Sequence, residues 1–581
     1  MRKLKKIIVV VCCIVFVLPL ILIAISFAVG ACLYLTADFR QPDINPDLSQ
    51  YELSVDTDSL KVCRDSRLCL NEYGLWEAYI SGNSIERGLK YGALNKDLLR
   101  NQEDVFVNQI HEIIPSEWWV KFLHKVIIMF NRDMAKHIPD EYREEIYAMS
   151  LFGTDEYESY GTSYFRQLNY HAAHDIGHMM QQYMLVGCSS FACWDDESED
   201  GDLIVGRNFD FYVGDEFAEN KVVLFVNPTE GYRFASISWP GMMGVLSGMN
   251  ETGLTVTINA AKGAIPTSSA MPISLLARHI LQYASNIDEA YEIATQFKTF
   301  VSESLLIASA NDGYAAIIEK TPEKIALYSC QLSAINGQRS TVNSQQSTVN
   351  SQQSRVVCTN HYQSEEFEND DYNIENIATS DSPYRHKRLN ELLDEKSPID
   401  AEDAVSILRD RYGLGNADIG LSNEKSLNQF IAHHSVVFQP EKLRFWVSTS
   451  PWQLGEYVCY ELDNSSEFNV LSSEFNVQSS EFNVQSSEFR VQDYDRVCRY
   501  RSQYKTITTA IRDNQNITSE FIDEFISNNP NYFQVYNTLG DYELSRGNNK
   551  QAILYWNKAL SLEIPRTTER DEIIGKIQKY D

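Results

Sequence analysis

Gly187-Cys188-Ser189-Ser190-Phe191, followed by Gly206-Arg207-Asn208-Phe209-Asp210-Phe211, is the stretch whose reading decides the fold. Between them a charged run, Asp195 to Asp202, is flanked by apolar residues (Phe191-Ala192-Cys193-Trp194 and Leu203-Ile204-Val205). Two short apolar runs around a charged turn predict a β-hairpin. The hairpin returns Arg207 and Asp210 to the neighbourhood of Cys188, so one thiol has a cation and a carboxylate beside it. The glycine before it tolerates backbone conformations that a side chain forbids. Cys193 serves as an internal control: it has no preceding glycine, and its odd separation from Cys188 turns it to the other face of a regular strand.

The chain has 581 residues, room for two to four domains, and its hydrophobic fraction of 44% with 32 Tyr and 27 Phe excludes wholesale disorder. Fifty basic against 80 acidic residues give a net charge of −30, which repels phosphate backbones and argues against nucleic acid as a partner. Met1 to Lys6 is basic, and residues 7 to 36 carry no charged side chain. That exceeds the ~20 apolar residues needed to span a bilayer. Residues 1–36 read as an uncleaved signal anchor that tethers the chain to a membrane, with residue 37 onward on the extracytoplasmic (periplasmic or extracellular) side. Ala28-Val29-Gly30-Ala31-Cys32 loosely resembles a lipoprotein cleavage box, so lipidation at Cys32 is the alternative. Of the other cysteines, Cys63 with Cys69, and Cys330 with Cys358, are candidate disulfides in an oxidising space, against the reading that they are buried free thiols.

Outward from the hairpin, residues 37–187 read as a linker and a mainly helical pro-segment. Residues 188–463 alternate strands and helices in the order that suits a layered α+β domain, with one long helix at about 272–297. Ser-Thr-Val-Asn-Ser-Gln-Gln repeats in tandem at 340–353, and Ser-Ser-Glu-Phe-Asn-Val-(Leu/Gln) occurs three times at 465–485, with a Ser-Ser-Glu-Phe-Arg-Val-Gln variant at 486–492. Both lack a coiled-coil seam, so the first is an insert in a strand connection and residues 464–493 are a linker. Residues 494–581 read as a helical module. Tyr536, Gly540, Gly547, Ala552, Trp556 and Ala559 fit one tetratricopeptide repeat, which either packs on the main domain or takes a protein partner.

Five ordered motifs carry a resemblance. Gly187-Cys188-Ser189-Ser190-Phe191, Gly206 to Asp210, Gly248 to Asn259, Cys358-Thr359-Asn360 and Ser382-Pro383-Tyr384-Arg385, with Tyr79 to Gly88 and Gly92 upstream, resemble the acyl-coenzyme A:6-aminopenicillanic acid acyltransferase family over about residues 73 to 463. That family sits among the cysteine N-terminal-nucleophile hydrolases, with choloylglycine hydrolase and penicillin V acylase. The resemblance implies a four-layer αββα sandwich. It also implies self-cleavage between Gly187 and Cys188: the thiol attacks the preceding carbonyl, an ester forms, and water releases a new chain starting at Cys188.

The freed α-amine, with a reference pKa of ~7.7–8.0, then acts as base. Asp210 holds that amine, Arg207 favours the thiolate, Asn259 donates to the oxyanion, and Asn360 and Arg385 complete the polar network. Arg388, three residues on, competes with Arg385 for that place. The expected activity is hydrolysis or transfer of the acyl group of a linear amide, a small molecule, through a thioester on Cys188, with no cofactor required. Two alternatives stand beside it: a vestigial binding protein of the same fold, and a metal-dependent hydrolase using His171, His174 and His178 on one helix face. Three ligands from one helix without a distant fourth are uncommon in catalytic sites, so the triplet reads as a polar helix face rather than a metal site.

Overall fold

The computed structural model describes residues 18–37, 39–172, 175, 186–266, 268–329, 354–462 and 487–581. The strands, in chain order, are β1 (Val55–Asp56), β2 (Leu60–Cys63), β3 (Ser66–Leu70), β4 (Trp76–Gly82), β5 (Val186–Cys193), β6 (Ile204–Phe211), β7 (Val222–Pro228), β8 (Phe234–Ser238) and β9 (Ser247–Asn250). They continue as β10 (Leu254–Ala260), β11 (Glu303–Ser309), β12 (Tyr314–Lys320), β13 (Ile325–Tyr328), β14 (Arg355–Cys358), β15 (Ala432–Gln439), β16 (Arg444–Ser448) and β17 (Tyr457–Glu461). One sheet has eleven strands in the order β1-β2-β3-β4-β7-β8-β9-β10-β11-β12-β13; the other has six, β14-β5-β6-β15-β16-β17.

Side-chain alternation along the strands builds the layers. Ala192, Val205 and Val436 of the six-stranded sheet meet Val223, Phe225, Leu306 and Ile317 of the other in a core between the sheets. Their strand neighbours Phe191, Ile204 and Val437 point outward onto Leu389, Leu393, Val405 and Leu408 of the helices Ser382–Lys396 and Ala401–Leu408. On the far side of the large sheet, Leu224, Val256 and Ile307 pack on Leu94, Ile146, Leu276 and Ile280. The order is helix, sheet, sheet, helix, the four layers expected, and each fully buried aliphatic or aromatic side chain contributes roughly 1.5–3 kcal/mol.

The segment before Cys188 is less helical than its sequence suggests. It contributes β1 to β4, and β4 pairs in parallel with β7, from Trp76↔Val222 to Gly82↔Pro228. Five consecutive buried residues, Trp76 to Ile80, fit a strand covered on both faces. The helix Ser84–Ile113 then begins with a reciprocal cap between Asn83 and Glu86 and packs on the helix Asp140–Ser150. Contact there is so close that a Cβ at Gly88 would stand 2.2 Å from the Glu145 carbonyl oxygen. Glu145 itself, fully buried, binds Arg87 at 2.9 Å and Arg278 of the helix Ile273–Tyr283 at 3.0 Å. Removing one partner of such a buried pair typically costs about 3–5 kcal/mol, so the segment before Cys188 is locked to the rest.

Other expectations are corrected. The single helix at 272–297 is two, Ile273–Tyr283 and Ile287–Gln296. Asn250 ties the end of the first through the Leu281 and Ala284 carbonyls, and Asn286 caps the second. Cys63 and Cys69 are free thiols: they lie opposite Ser66 and Leu60, three steps apart along the β2–β3 ladder, and cannot meet. Cys358 is also free, and Cys330 lies outside the described residues.

The helices Ser487–Arg512, Ser519–Asn528, Phe533–Ser545, Asn549–Leu560 and Thr567–Tyr580 close round one core containing Tyr500, Phe525, Leu539 and Trp556, a small bundle. A Cβ at Gly540 would meet the Trp556 indole at 2.3 Å, which explains the small residue there. Of the apolar N-terminal segment, the helix Leu18–Leu35 is described, and no helix among the described residues is long and apolar enough to cross a membrane.

Candidate active site

The predicted hairpin is present, with Cys188 opposite Phe209, Gly187 opposite Asp210 and Ser190 opposite Arg207. Cys188, Ser190, Arg207 and Phe209 therefore face the interior between the sheets, while Gly187, Asn208 and Asp210 face the outer helices. Arg207, buried, points an Nη2 at the Cys188 sulfur, 3.6 Å away. The same guanidinium donates to the Ser247 hydroxyl at 2.6 Å and to the Ile258 carbonyl, and lies over the Phe209 ring. Ser247 in turn meets His434 Nε2 at 2.8 Å, and His434 Nδ1 meets His433 Nδ1 at 3.1 Å. Burial, with Arg207 nearby, holds His434 far below the usual imidazole range, so this chain stays neutral beside the arginine.

The backbone of Cys188 is gripped from both ends. Its N–H donates to Asn360 Oδ1 at 3.0 Å, and its carbonyl accepts from Arg385 Nη1 at 2.7 Å. Arg385 also donates to Asn360 Oδ1 and to the Ser189 hydroxyl, at 2.7 and 2.9 Å, and is anchored by Asp381. Asn360 is oriented by its own amide donating to the Ala260 carbonyl at 2.7 Å. Arg388 is elsewhere: it binds Asp410, Glu391 and Asn416. Of the two arginines on this helix, Arg385 belongs to the site.

Asp210 sits differently from the expectation. Three residues from Arg207 on one strand, it turns to the other face, opposite Gly187 in the β5–β6 ladder. Neither of its carboxylate oxygens has a hydrogen-bond partner among the described residues, although it is fully buried. Burial pushes its pKa up to about 8, against the pull of Arg385 and then Arg207. A buried carboxyl without a partner calls for an explanation. Asn259 donates to the Cys358 and Thr359 carbonyls at 3.1 and 3.3 Å and accepts from the Ser190 hydroxyl, so its amide hydrogens are already engaged.

Burial raises the Cys188 thiol to about 11, with Arg207 pulling it down and Asp210 and Glu303 pushing it up. At neutral pH the sulfur therefore carries its proton. Cys193 is buried on the other face among Phe191, Ile204 and Leu389, and there burial, with Glu197 adding to it, pushes its thiol higher still. His171 is buried and satisfied, Nδ1 on the Gln167 carbonyl at 2.8 Å and Nε2 accepting from the Met243 N–H at 2.9 Å, so no ring nitrogen is left for a metal. His174 and His178 lie outside the described residues, and among the described residues no cluster of three metal-binding side chains occurs. Ser247, His434, Asp381 and Glu303 were invisible to motif reading, since each is a common residue type recruited by the fold.

The site thus centres on one buried cysteine whose sulfur, amide and carbonyl are each held by a separate polar group. Residues 197–450 match the model of the family "Acyl-coenzyme A:6-aminopenicillanic acid acyl-transferase". This is the family that the ordered motifs resemble, and the match takes in Arg207, Asp210, Asn259, Asn360 and Arg385 while beginning after Cys188. An uncharacterized protein of Archaeoglobus fulgidus is 24% identical over 409 residues, covering 65% of each chain. Protein dcd1B of Dictyostelium discoideum is 22% identical over 264 residues, 43% of this chain and 51% of its own. The chain therefore spans between half and two thirds of the length of these relatives. Among solved structures, an N-acylethanolamine-hydrolyzing acid amidase ortholog of Caenorhabditis elegans is similar at 16% identity and a TM-score of 0.30, over 44% of this chain and 93% of its own. A mutant of the conjugated bile acid hydrolase of Clostridium perfringens is similar at 14% identity and a TM-score of 0.27, over 49% of this chain and 100% of its own.

Proposed function

We propose that this chain is a self-processing cysteine amidase or acyltransferase that acts on a linear amide through a thioester on Cys188. The observation that carries the proposal is the threefold grip on Cys188: Arg207 on its sulfur, Asn360 on its N–H and Arg385 on its carbonyl. In self-cleavage the sulfur attacks the Gly187 carbonyl carbon, the Gly187–Cys188 C–N bond breaks, and the thiol proton ends on the departing nitrogen. Water then hydrolyses the thioester, leaving a Gly187 carboxylate and a free thiol. The new α-amine keeps Asn360 as its acceptor and gains the unpartnered Asp210 carboxyl as its counter-charge. With an amine pKa of ~7.7–8.0 it takes the thiol proton that burial otherwise retains.

In turnover the same sulfur attacks the substrate carbonyl, and Asn259 gives up one of its two carbonyl partners to donate to the oxyanion. Such a donor is commonly worth ~3–4 kcal/mol of barrier. The intact polar set argues against a vestigial site, and the occupied His171 argues against the metal reading. The apolar stretch 7–36 supports a membrane anchor with the enzyme outside, which alkaline carbonate extraction of membranes tests. For the chemistry, the purified chain is incubated with a panel of N-acyl amides, quenched in acid and digested. An acyl adduct on the Cys188 peptide, removed by hydroxylamine and missing in Cys188→Ala, supports the proposal; turnover without any adduct overturns it.

A further inference from the structure

Between the layered domain and the C-terminal bundle lies a cavity of about 970 Å³ that none of the residues gripping Cys188 lines. That size suits a small organic ligand. Its walls come from the pro-segment helix Ser84–Ile113, the turn after β6, the loop leading into β15 and the helices of the bundle.

Charge gives the first clue to an occupant. The cavity's two cations are already engaged, Arg501 with Asp215 at 2.6 Å and Lys505 with Glu112 at 3.2 Å. That leaves Glu216, Glu424 and Glu569 on the lining, the last two beside the aromatic wall. Glu424 is only 9% exposed, and its Oε2 has no hydrogen-bond partner among the described residues. Arg566 stands near both of these carboxyls but pairs with Asp381, at 4.0 Å, so three acids share one cation. The second clue is aromatic: Tyr500, Tyr532 and Phe533 wall the same space, with the two tyrosine rings edge to face at 5.6 Å. Carboxyls with aromatic faces are a setting for an organic cation: burial pushes Glu424 up to about 8, so an arriving ammonium would favour its ionised form and be drawn by the ring quadrupoles as well.

Position gives the third. Gln429, which lines the cavity, stands against the scissile glycine, its Nε2 only 2.9 Å from where a Gly187 Cβ would be. The β6 residue Phe211 pairs with Val186, and the next residues, Tyr212 to Glu216, form the cavity wall. The space therefore begins two strand positions beyond Gly187, on the acyl side of the Gly187–Cys188 bond.

We propose that this cavity receives a cationic group on the acyl side of the amide substrate, an organic ammonium held by Glu424 and Glu569 against the tyrosine faces. The proposal rests on the amidase reading above and names its substrate class. Its test is calorimetric binding to the full-length chain carrying Cys188→Ala, with choline and its neutral isostere 3,3-dimethylbutan-1-ol as probes. Choline is expected to bind at least tenfold more tightly than the isostere. Glu424→Gln should cost choline at least tenfold and leave the isostere unchanged, whereas Leu554→Ala, on the exposed face of the bundle, should change neither. Equal binding of the two probes, which needs no cavity variant to observe, overturns the proposal, as does undiminished choline affinity in a folded Glu424→Gln chain. Binding is read in a chain that cannot be cut, so its failure leaves the amidase reading standing. Failure of the wild-type chain to cut removes the substrate assignment without touching choline binding.

Discussion

Cys188 and Cys193 lie five residues apart on one strand, both fully buried, yet their surroundings have opposite sense. Cys188 faces the arginine between the sheets, and its backbone is held at N–H and carbonyl by side chains from two other elements. Cys193 faces the helix layer, among apolar side chains and with Glu197 as the first charge acting on it. Burial alone makes a thiol inert. What separates a nucleophile from a packing residue here is the sign of the nearest charge and the number of groups that fix the backbone.

The sharpest way to break that contrast is to delete each sulfur. Cys188→Ala should abolish chain cleavage and lower amide turnover by on the order of 10⁴ or more, as loss of a nucleophile does. Cys193→Ala should leave both within about twofold and cost about 1 kcal/mol of stability, measured by denaturant unfolding. Next comes the charge. Arg207→Gln should slow cleavage by about 10²–10³, a loss typical of one preorganised electrostatic partner, with the fold intact by circular dichroism.

The two arginines of the helix Ser382–Lys396 repeat the comparison on a smaller scale. Arg385→Gln should slow cleavage about ten- to a hundredfold, whereas Arg388→Gln should spare the rate and lower Tm, because its partners are Asp410 and Glu391. The least disruptive test is pH. In the uncut chain the Cys188 thiolate fraction, read as iodoacetamide labelling by mass, should rise tenfold per pH unit towards 11, because burial has raised that pKa. The cut chain, with its own amine as base, should level off near pH 8. The same raised pKa makes the uncut fold lose stability as pH climbs from ~8.5, where an unfolded thiol ionises, towards 11.

Much of this was legible in the residues. The β5–β6 hairpin followed from two apolar runs around a charged turn, and the opposite facing of Cys188 and Cys193 from strand parity. The same parity, applied to Arg207 and Asp210, would have put them on opposite faces; reading them as a pair beside one thiol overlooked it. Strands β1 to β4 escaped because a short segment such as Trp76 to Ile80, covered on both sides, shows no alternation. The grip of Ser247 and His434 on Arg207 had no local signal at all, since the residues are 40 and 227 positions away from it. Five motifs in order carried the site because each brings a strand end or helix start, while their supporting partners come from anywhere in the chain.

The central claim is tested most directly by the intact mass of the purified protein. The account predicts that the wild-type chain of 66.5 kDa is replaced by two fragments, the second beginning at Cys188, while Cys188→Ala stays whole. A wild-type chain that hydrolyses amides while remaining a single uncut polypeptide, or a Cys188→Ala chain that still splits at Gly187, would contradict it.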